Sequence, residues 1–163
     1  MKLGVITDCF GRPLSESLRM AAELGFDGVQ IYATTGSFSP DALDAAGRQR
    51  YREELRACGL EVSALCGDMG GYGFEIAADN PARIEKTKRI IDLANEFETA
   101  VVTTHIGVIP SDPQEERYRV MQAALTECGR YAAAHGVTLA IETGPEPASV
   151  LKEIGRASCR ERV

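Results

Sequence analysis

The sequence predicts an α/β fold, comprising about five of the eight βα units of a parallel (β/α)8 barrel. Short apolar runs alternate with longer helical patterns along the chain. Such alternation indicates parallel strands, because each helix returns the chain to the same edge of the sheet. The apolar runs begin roughly 25 to 40 residues apart, close to the ~30 residues per unit of an eight-fold barrel. A polar residue ends most of these runs, as expected where strand ends converge on one mouth.

The five predicted strands are residues 3–8, 28–33, 61–66, 100–105 and 137–142. Side chains alternate between the two faces of a strand. In the second run Gln30 and Tyr32 therefore share one face, and the apolar Val29 and Ile31 share the other. The apolar face suits packing beneath the helices.

Each predicted helix is bounded by residues that favour helix ends. The start signals are Ser15, Ser39-Pro40-Asp41, Asn80-Pro81 and Asp112-Pro113, and the stop signals are Gly25, Gly59 and Gly136. The last helix is expected to bury an apolar stripe at helical spacing. That stripe consists of Tyr118, Met121, Leu125, Cys128 and Ala132.

A doubly wound sheet is the alternative fold, since it also places ligands at the carboxyl ends of its strands. The first βα turn, residues 8–13, lacks the glycine pattern of a dinucleotide site, and no Walker A sequence occurs. Gly70, Gly71 and Gly73 in the third loop could grip a phosphate, although they favour a flexible loop. The barrel remains the favoured prediction.

Composition and charge restrict the location and partners that we expect. The chain has 163 residues, a formal net charge of −6 and five cysteines without metal-ligand spacing, which we interpret as reduced thiols. No apolar run reaches the ~18 residues that cross a bilayer, and Met1-Lys2 leads directly into a strand. We therefore expect a cytoplasmic protein without a membrane partner. The acidic charge disfavours nucleic acid.

The last eleven residues, 153–163, interrupt a helical pattern that starts at residue 148. Their sequence resembles a translated sequencing adapter, and a genuine polar tail is the alternative. We expect residues 1–152 to be the N-terminal part of the barrel, cut after its fifth strand, and residues 153–163 to be an artefact. Residues 1–152 hold 15 Lys and Arg against 22 Asp and Glu, a formal charge of −7.

Six polar residues at or just past strand ends are candidates for a ligand site. They are Asp8, Tyr32, Cys66, Asp68, His105 and Glu142. Because strand ends of a parallel barrel meet at one mouth, we expect these side chains to surround one ligand. Core packing is the alternative for Cys66. A helix cap or a pairing with a cation is the alternative for Glu142.

Four segments carry a resemblance to a known family. They are Leu3-Gly-Val-Ile-Thr-Asp8, Ala22-Glu-Leu-Gly-Phe-Asp-Gly-Val-Gln30, Thr104-His-Ile-Gly107 and Ile141-Glu-Thr-Gly-Pro-Glu146. In this order and at strand ends they resemble the sugar phosphate isomerase/epimerase superfamily, the xylose isomerase-like TIM barrels. The resemblance covers residues 1–152 and indicates the superfamily rather than one member.

The resemblance implies one divalent metal ion, held by Glu, Asp, His and Glu side chains from strands five to eight. It assigns Glu142 as the first metal ligand and as one of two acid/base groups, and the other ligands would lie beyond this sequence. It places His105 as a catalytic residue near substrate, with a hydrogen-bonded structural histidine as the alternative. Mn²⁺, Mg²⁺ or Co²⁺ suits such ligands better than Zn²⁺. His135, at a helix end, is expected to have no catalytic role.

By resemblance, the intact parent protein is a metal-dependent sugar or sugar phosphate isomerase or epimerase that acts through an enediolate and could be oligomeric. Asp8, Tyr32, Cys66 and Asp68 would line its substrate site. Residues 1–163 alone are expected to be inactive, with two open sheet edges. The alternatives are an inosose-type dehydratase, a repair endonuclease, which the acidic charge disfavours, and a non-catalytic barrel that binds a partner.

Overall fold

The computed structural model describes residues 1–142, 144, 149–150 and 154–155, and the structural statements below refer to these residues. Five strands form one parallel sheet in the order β1-β2-β3-β4-β5. They are β1 Gly4–Ile6, β2 Gly28–Tyr32, β3 Glu61–Cys66, β4 Val101–His105 and β5 Thr138–Glu142. Parallel pairing of consecutive strands confirms the predicted partial barrel.

Four α-helices connect the strands: α1 Leu14–Glu23, α2 Ala45–Cys58, α3 Asn80–Glu96 and α4 Glu116–Ala134. Two short 3-10 turns, Thr7–Phe10 and Gly36–Phe38, follow β1 and β2. None of the helices in the described part of the chain is long and apolar enough to cross a membrane.

The helices pack on the apolar face of the sheet. Val29 and Ile31 of β2, Leu65 of β3 and Val102 of β4 are at most 2% exposed, and Leu18 of α1 packs in the same cluster. A second hydrophobic cluster lies beneath α4. It contains the predicted apolar stripe of that helix except for Ala132, which belongs to the first cluster. The polar side chains of the strands therefore lie on the opposite face of the sheet.

Two predicted helix starts form turns instead. The amides of Ala42 and Leu43 donate to the Ser39 carbonyl, and α2 begins only after Asp44, whose carboxylate accepts from the Gly47 amide at 2.7 Å. Asp112 likewise closes a turn, since its carboxylate accepts from the Gln114 amide at 2.8 Å, and α4 begins four residues later. The Ser39 hydroxyl donates to the Gly36 carbonyl at 3.1 Å, so Ser39 and Asp112 both use their side chains in local hydrogen bonds that compete with helix capping.

The remaining helix ends follow the sequence more closely. Ser15 lies inside α1, which begins one residue earlier, after Pro13. The start of α3 at Asn80-Pro81 is confirmed. Gly59 and Gly136 have φ of 66° and 70°, a left-handed conformation that L-residues with side chains adopt poorly. These glycines therefore end α2 and α4 as predicted.

The predicted boundary at residue 152 lies outside the described residues. Of residues 153–163, the structure describes Ile154 and Gly155, both helical. Ile154 is fully buried in the second cluster. The nature of this tail stays a prediction.

Leu18 of α1 and Leu24, the C-cap residue of the same helix, provide a matched test of this packing. Leu18 is 0% exposed and Leu24 is 66% exposed. Leu18→Ala should lower the free energy of unfolding by about 2–5 kcal/mol because it leaves a cavity, and Leu24→Ala should change it by less than about 0.5 kcal/mol. Urea denaturation measures both, and equal losses would contradict the assigned core.

Candidate active site

The parallel register brings the polar strand ends to one edge and one face of the sheet. His105 of β4 is the register partner of Glu142 of β5, and Tyr32 of β2 is the partner of Cys66 of β3. Neighbouring strands lie about 4.8 Å apart. His105 and Glu142 are thus neighbours on the face opposite the helices, as the sequence predicts.

A hydrogen bond crosses this face between two strands that are not neighbours in the sheet. The Gln30 Nε2 amide on β2 donates to Thr103 Oγ1 on β4 at 3.0 Å. Since β2 and β4 are separated by β3, this bond spans two strand spacings, about 10 Å between backbones. The two side chains therefore meet above β3, on the face opposite the helices.

Glu142 ends β5 with an exposed side chain. Within the described residues its carboxylate has no hydrogen bond or ion pair, so neither the helix cap nor the cation partner considered above is found there. Because the side chain is exposed, its carboxylate is accessible from solvent. Its assignment as metal ligand and acid/base group remains a proposal.

His105 is half-buried beside Glu142. The Gly107 amide donates to its Nδ1 atom at 3.4 Å. This bond leaves Nε2 as the ring nitrogen that can face the mouth. The hydrogen bond at Nδ1 fits a structural histidine. A ring whose Nε2 atom can face the mouth fits a catalytic residue near substrate.

Tyr32 and Cys66 lie together on the inner face. The adjacent Cys66, whose negative charge when ionised opposes a phenolate, raises the pKa of Tyr32. Burial, a hydrogen bond with Cys66 and the carboxylates of Asp68 and Asp8 act in the same direction. Tyr32 consequently stays a neutral O–H donor at neutral pH. Cys66 is 2% exposed, so core packing describes it as well as a position in the substrate site does.

The two aspartates follow their strands in short turns. Asp8 is exposed and its Oδ2 accepts from Thr7 Oγ1 at 3.2 Å. Asp68 accepts from the Gly70 amide at 2.8 Å. Asp8 and Tyr32 border a cleft of about 250 Å³ at the ends of β1 and β2. Its other lining residues include Arg12, Ser17, Thr35 and Ser37.

The structure thus forms two groups from the six predicted residues. Asp8, Tyr32, Cys66 and Asp68 lie towards β1–β3, and His105 with Glu142 lies on β4–β5. No set of three or more His, Cys, Asp and Glu side chains that could hold a metal ion occurs in the described part of the chain. Glu142 fits as one oxygen ligand of such an ion.

Glu75 is a residue of this edge that the sequence analysis did not single out. Its carboxylate lies between the loops that follow β3 and β4, where it accepts from the Val108 amide at 2.7 Å and from Arg117 at 3.2 Å. The third loop was predicted to be flexible, but it packs closely here, since Phe74 N donates to the Ile106 carbonyl at 2.9 Å. The contact joins residues about 30 positions apart, so no local pattern signals it.

The shifted pKa of Tyr32 gives a test of its surroundings. Phenolate absorbance should appear at higher pH than for an ordinary tyrosine, and Tyr32→Phe should remove that transition. Cys66→Ala should move the transition to lower pH, because the largest cause of the raised pKa is gone. Cys58→Ala, a half-buried thiol on α2, is the control. Identical titration curves for the two cysteine variants would show that the cause is wrong.

Comparison with known proteins identifies the family of this chain. The family model described as the xylose isomerase-like TIM barrel matches residues 18–157. Fructoselysine 3-epimerase of Shigella flexneri is 26% identical in an alignment of 151 residues that covers 87% of this chain and 54% of that protein. The chain therefore spans about half the length of the curated relatives it matches.

Solved structures share the fold. The probable 3-DHS dehydratase AsbF of Bacillus anthracis superposes with a TM-score of 0.77 at 20% identity, over 98% of this chain and 60% of that one. A xylose isomerase-like TIM barrel protein of Mycobacterium smegmatis in complex with magnesium gives 0.70 at 18% identity, over 94% and 61%. With its parallel sheet and the family match over most of its length, the chain belongs to the xylose isomerase-like TIM barrel family.

Proposed function

We propose that the protein containing this chain is a metal-dependent isomerase or epimerase of a sugar or sugar phosphate. The observation that carries the proposal is that His105 is the register partner of Glu142 at the carboxyl edge of the parallel sheet, and that the Glu142 side chain is exposed there with no partner among the described residues. Ligand sites of parallel barrels lie at this edge. The similarity to fructoselysine 3-epimerase supports sugar chemistry.

The reaction would proceed by enolisation. Glu142 takes the proton from the carbon next to the substrate carbonyl, and a carboxylate on the other side of the substrate returns a proton. The His105 Nε2 group donates a hydrogen bond to a substrate oxygen as negative charge develops there. Tyr32, a neutral donor, binds a substrate hydroxyl, together with Asp8 and Asp68.

Glu142 is the residue of this chain that would hold the divalent ion. When bound, such an ion polarises the carbonyl and stabilises the negative charge of the enediolate. Mn²⁺, Mg²⁺ or Co²⁺ is proposed rather than Zn²⁺, because carboxylate oxygens favour these ions. The magnesium bound to the Mycobacterium smegmatis protein supports this choice.

The far end of the substrate would lie in the cleft beside Asp8 and Tyr32. Arg12 is exposed there and makes no side-chain ion pair with the described residues. A guanidinium group binds phosphate well. This feature favours a phosphorylated or otherwise anionic sugar.

A dehydratase is the second candidate, supported by the fold shared with the probable 3-DHS dehydratase. The same enolisation would then expel a hydroxyl group instead of returning the proton. A non-catalytic barrel that binds a partner is the third candidate. We further propose a cytoplasmic location, no nucleic-acid partner in view of the acidic charge, and a barrel part that ends at residue 152.

Substitution of Glu142 tests the enolisation. In the full-length protein Glu142→Gln should reduce kcat by about 10³-fold or more, since it removes the proposed base. Glu61→Gln is the matched control, because Glu61 is an exposed carboxylate at the opposite end of β3, paired with Lys2.

Deuterium uptake from D₂O at the carbon next to the carbonyl, followed by product analysis, is the measurement. Uptake with an epimerised or isomerised ketose supports the leading proposal, and uptake with loss of water supports the dehydratase. Absence of uptake for a panel of ketoses and ketose phosphates with Mn²⁺, Mg²⁺ or Co²⁺ would favour the binding protein.

Residues 1–163 alone provide a separate test. We expect them to show no metal-dependent ketose epimerisation, because Glu142 supplies one ligand of the set that the family resemblance implies. The same assay on the full-length protein is the control. Epimerisation by residues 1–163 at a comparable kcat would refute the proposed truncation.

A further inference from the structure

A carboxylate joins three segments directly beside the candidate site. Glu75 Oε1 accepts from the Val108 amide at 2.7 Å and Glu75 Oε2 accepts from Arg117 Nη1 at 3.2 Å. The Glu75 side chain is 10% exposed, although the Arg117 side chain is 45% exposed. We call Glu75, Val108 and Arg117 the Glu75 clasp. It ties the loop after β3 to the loop after β4 and to α4.

Two glycines allow the loops to approach this closely. Gly107 has φ of 92°, and a Cβ atom there would lie 2.5 Å from Glu75 Oε1. A Cβ atom at Gly73, with φ of 55°, would overlap the carbonyl group of Ile106. Glycine adopts a positive φ without strain and carries no Cβ atom, so these two positions let the loops come into contact. The position of residues 106–108 is therefore set by the neighbouring loop as well as by β4.

The clasp lies one residue from a contact to the candidate catalytic histidine. The Gly107 amide donates to His105 Nδ1 at 3.4 Å. An N–H donor at Nδ1 requires a lone pair on that nitrogen, so the neutral ring carries its proton on Nε2. Val108, the residue that Glu75 binds, follows Gly107 directly.

We infer that Glu75 is a positioning residue for His105. By holding the Val108 amide, Glu75 keeps the Gly107 N–H on His105 Nδ1, and the ring then presents Nε2–H to the mouth. The consequence for catalysis rests on the proposed function, whereas the tautomer of His105 does not. Glu75→Gln retains an oxygen that can accept from Val108, and Glu75→Ala loses it.

The other histidine of the chain serves as an internal reference. His135 Nδ1 lies 2.8 Å from the Tyr131 carbonyl, which can only accept a hydrogen bond. His135 should therefore carry its proton on Nδ1, the opposite tautomer to His105. The two rings should be distinguishable in one spectrum.

Two-bond ¹H–¹⁵N spectra of the magnesium-loaded, full-length protein, at a pH where both rings are neutral, test the inference. Wild-type His105 should show the Nε2–H tautomer alone, with an Nδ1 resonance typical of a hydrogen-bonded acceptor. In Glu75→Ala the Nδ1 resonance should move towards the position of a nitrogen that accepts no hydrogen bond. The tautomer with its proton on Nδ1 should then become populated. Glu75→Gln should restore the wild-type pattern, and His135 should not change.

Kinetics of the same variants supply the second measurement. Glu75→Ala should lower kcat by about 10–100-fold with little change in KM, and Glu75→Gln should recover most of the loss. If Glu75→Ala does not fold, Glu75→Asp replaces it, because the shorter side chain cannot reach Val108 and Arg117 together.

A proton on His105 Nδ1 in the wild type, or a His105 spectrum that is unchanged in Glu75→Ala, would overturn the inference. A full-length protein that shows the expected spectra but no enolisation would instead overturn the proposed function. The two failures are thus distinguishable.

Discussion

The register between β4 and β5 is the constraint on which the candidate site depends. A shift of one residue in a strand moves every side chain to the other face of the sheet. Here Val102 on β4 and Leu139 and Ile141 on β5 pack against the helix-side clusters, which directs the intervening residues inwards. His105 and Glu142 face the mouth because the residues that alternate with them along β4 and β5 are packed beneath the helices. Hydrophobic burial outside the barrel thus determines the chemistry inside it.

The same principle explains the rest of the inner face. Polar side chains there must find partners once the sheet curves, and Gln30 and Thr103 do so across β3. Tyr32 and Cys66 form a second contact, which keeps the phenol neutral. Glu142 is the exception, since its carboxylate is unpartnered among the described residues. Its exposed position at the carboxyl edge of the sheet is where parallel barrels bind their ligands.

Local patterns predict the strands, whose ends agree with the structure to within two residues. The positions of the six candidate site residues follow from the strands. Gly59 and Gly136 likewise end helices through their own backbone conformation. The helix starts predicted at Ser39 and Asp112 are wrong, because a residue that can cap a helix can also close a turn. Tertiary packing decides between the two. Glu75 could not be predicted, because its partners lie on other elements.

Local patterns predict where a candidate side chain lies, but they do not predict how it is oriented. A strand fixes where the Cα and Cβ atoms of His105 lie, but the imidazole can still rotate about its side-chain torsions. An amide that donates to Nδ1 removes that freedom, and its position depends on loops that glycine alone allows to meet. Glycine loses more conformational entropy on folding than other residues do. That cost is offset if the glycines orient a reacting group, because a displacement of such a group by about 1 Å can lower the rate by about 10²-fold. The sheet therefore supplies the location of the histidine, and the paired loops supply its orientation.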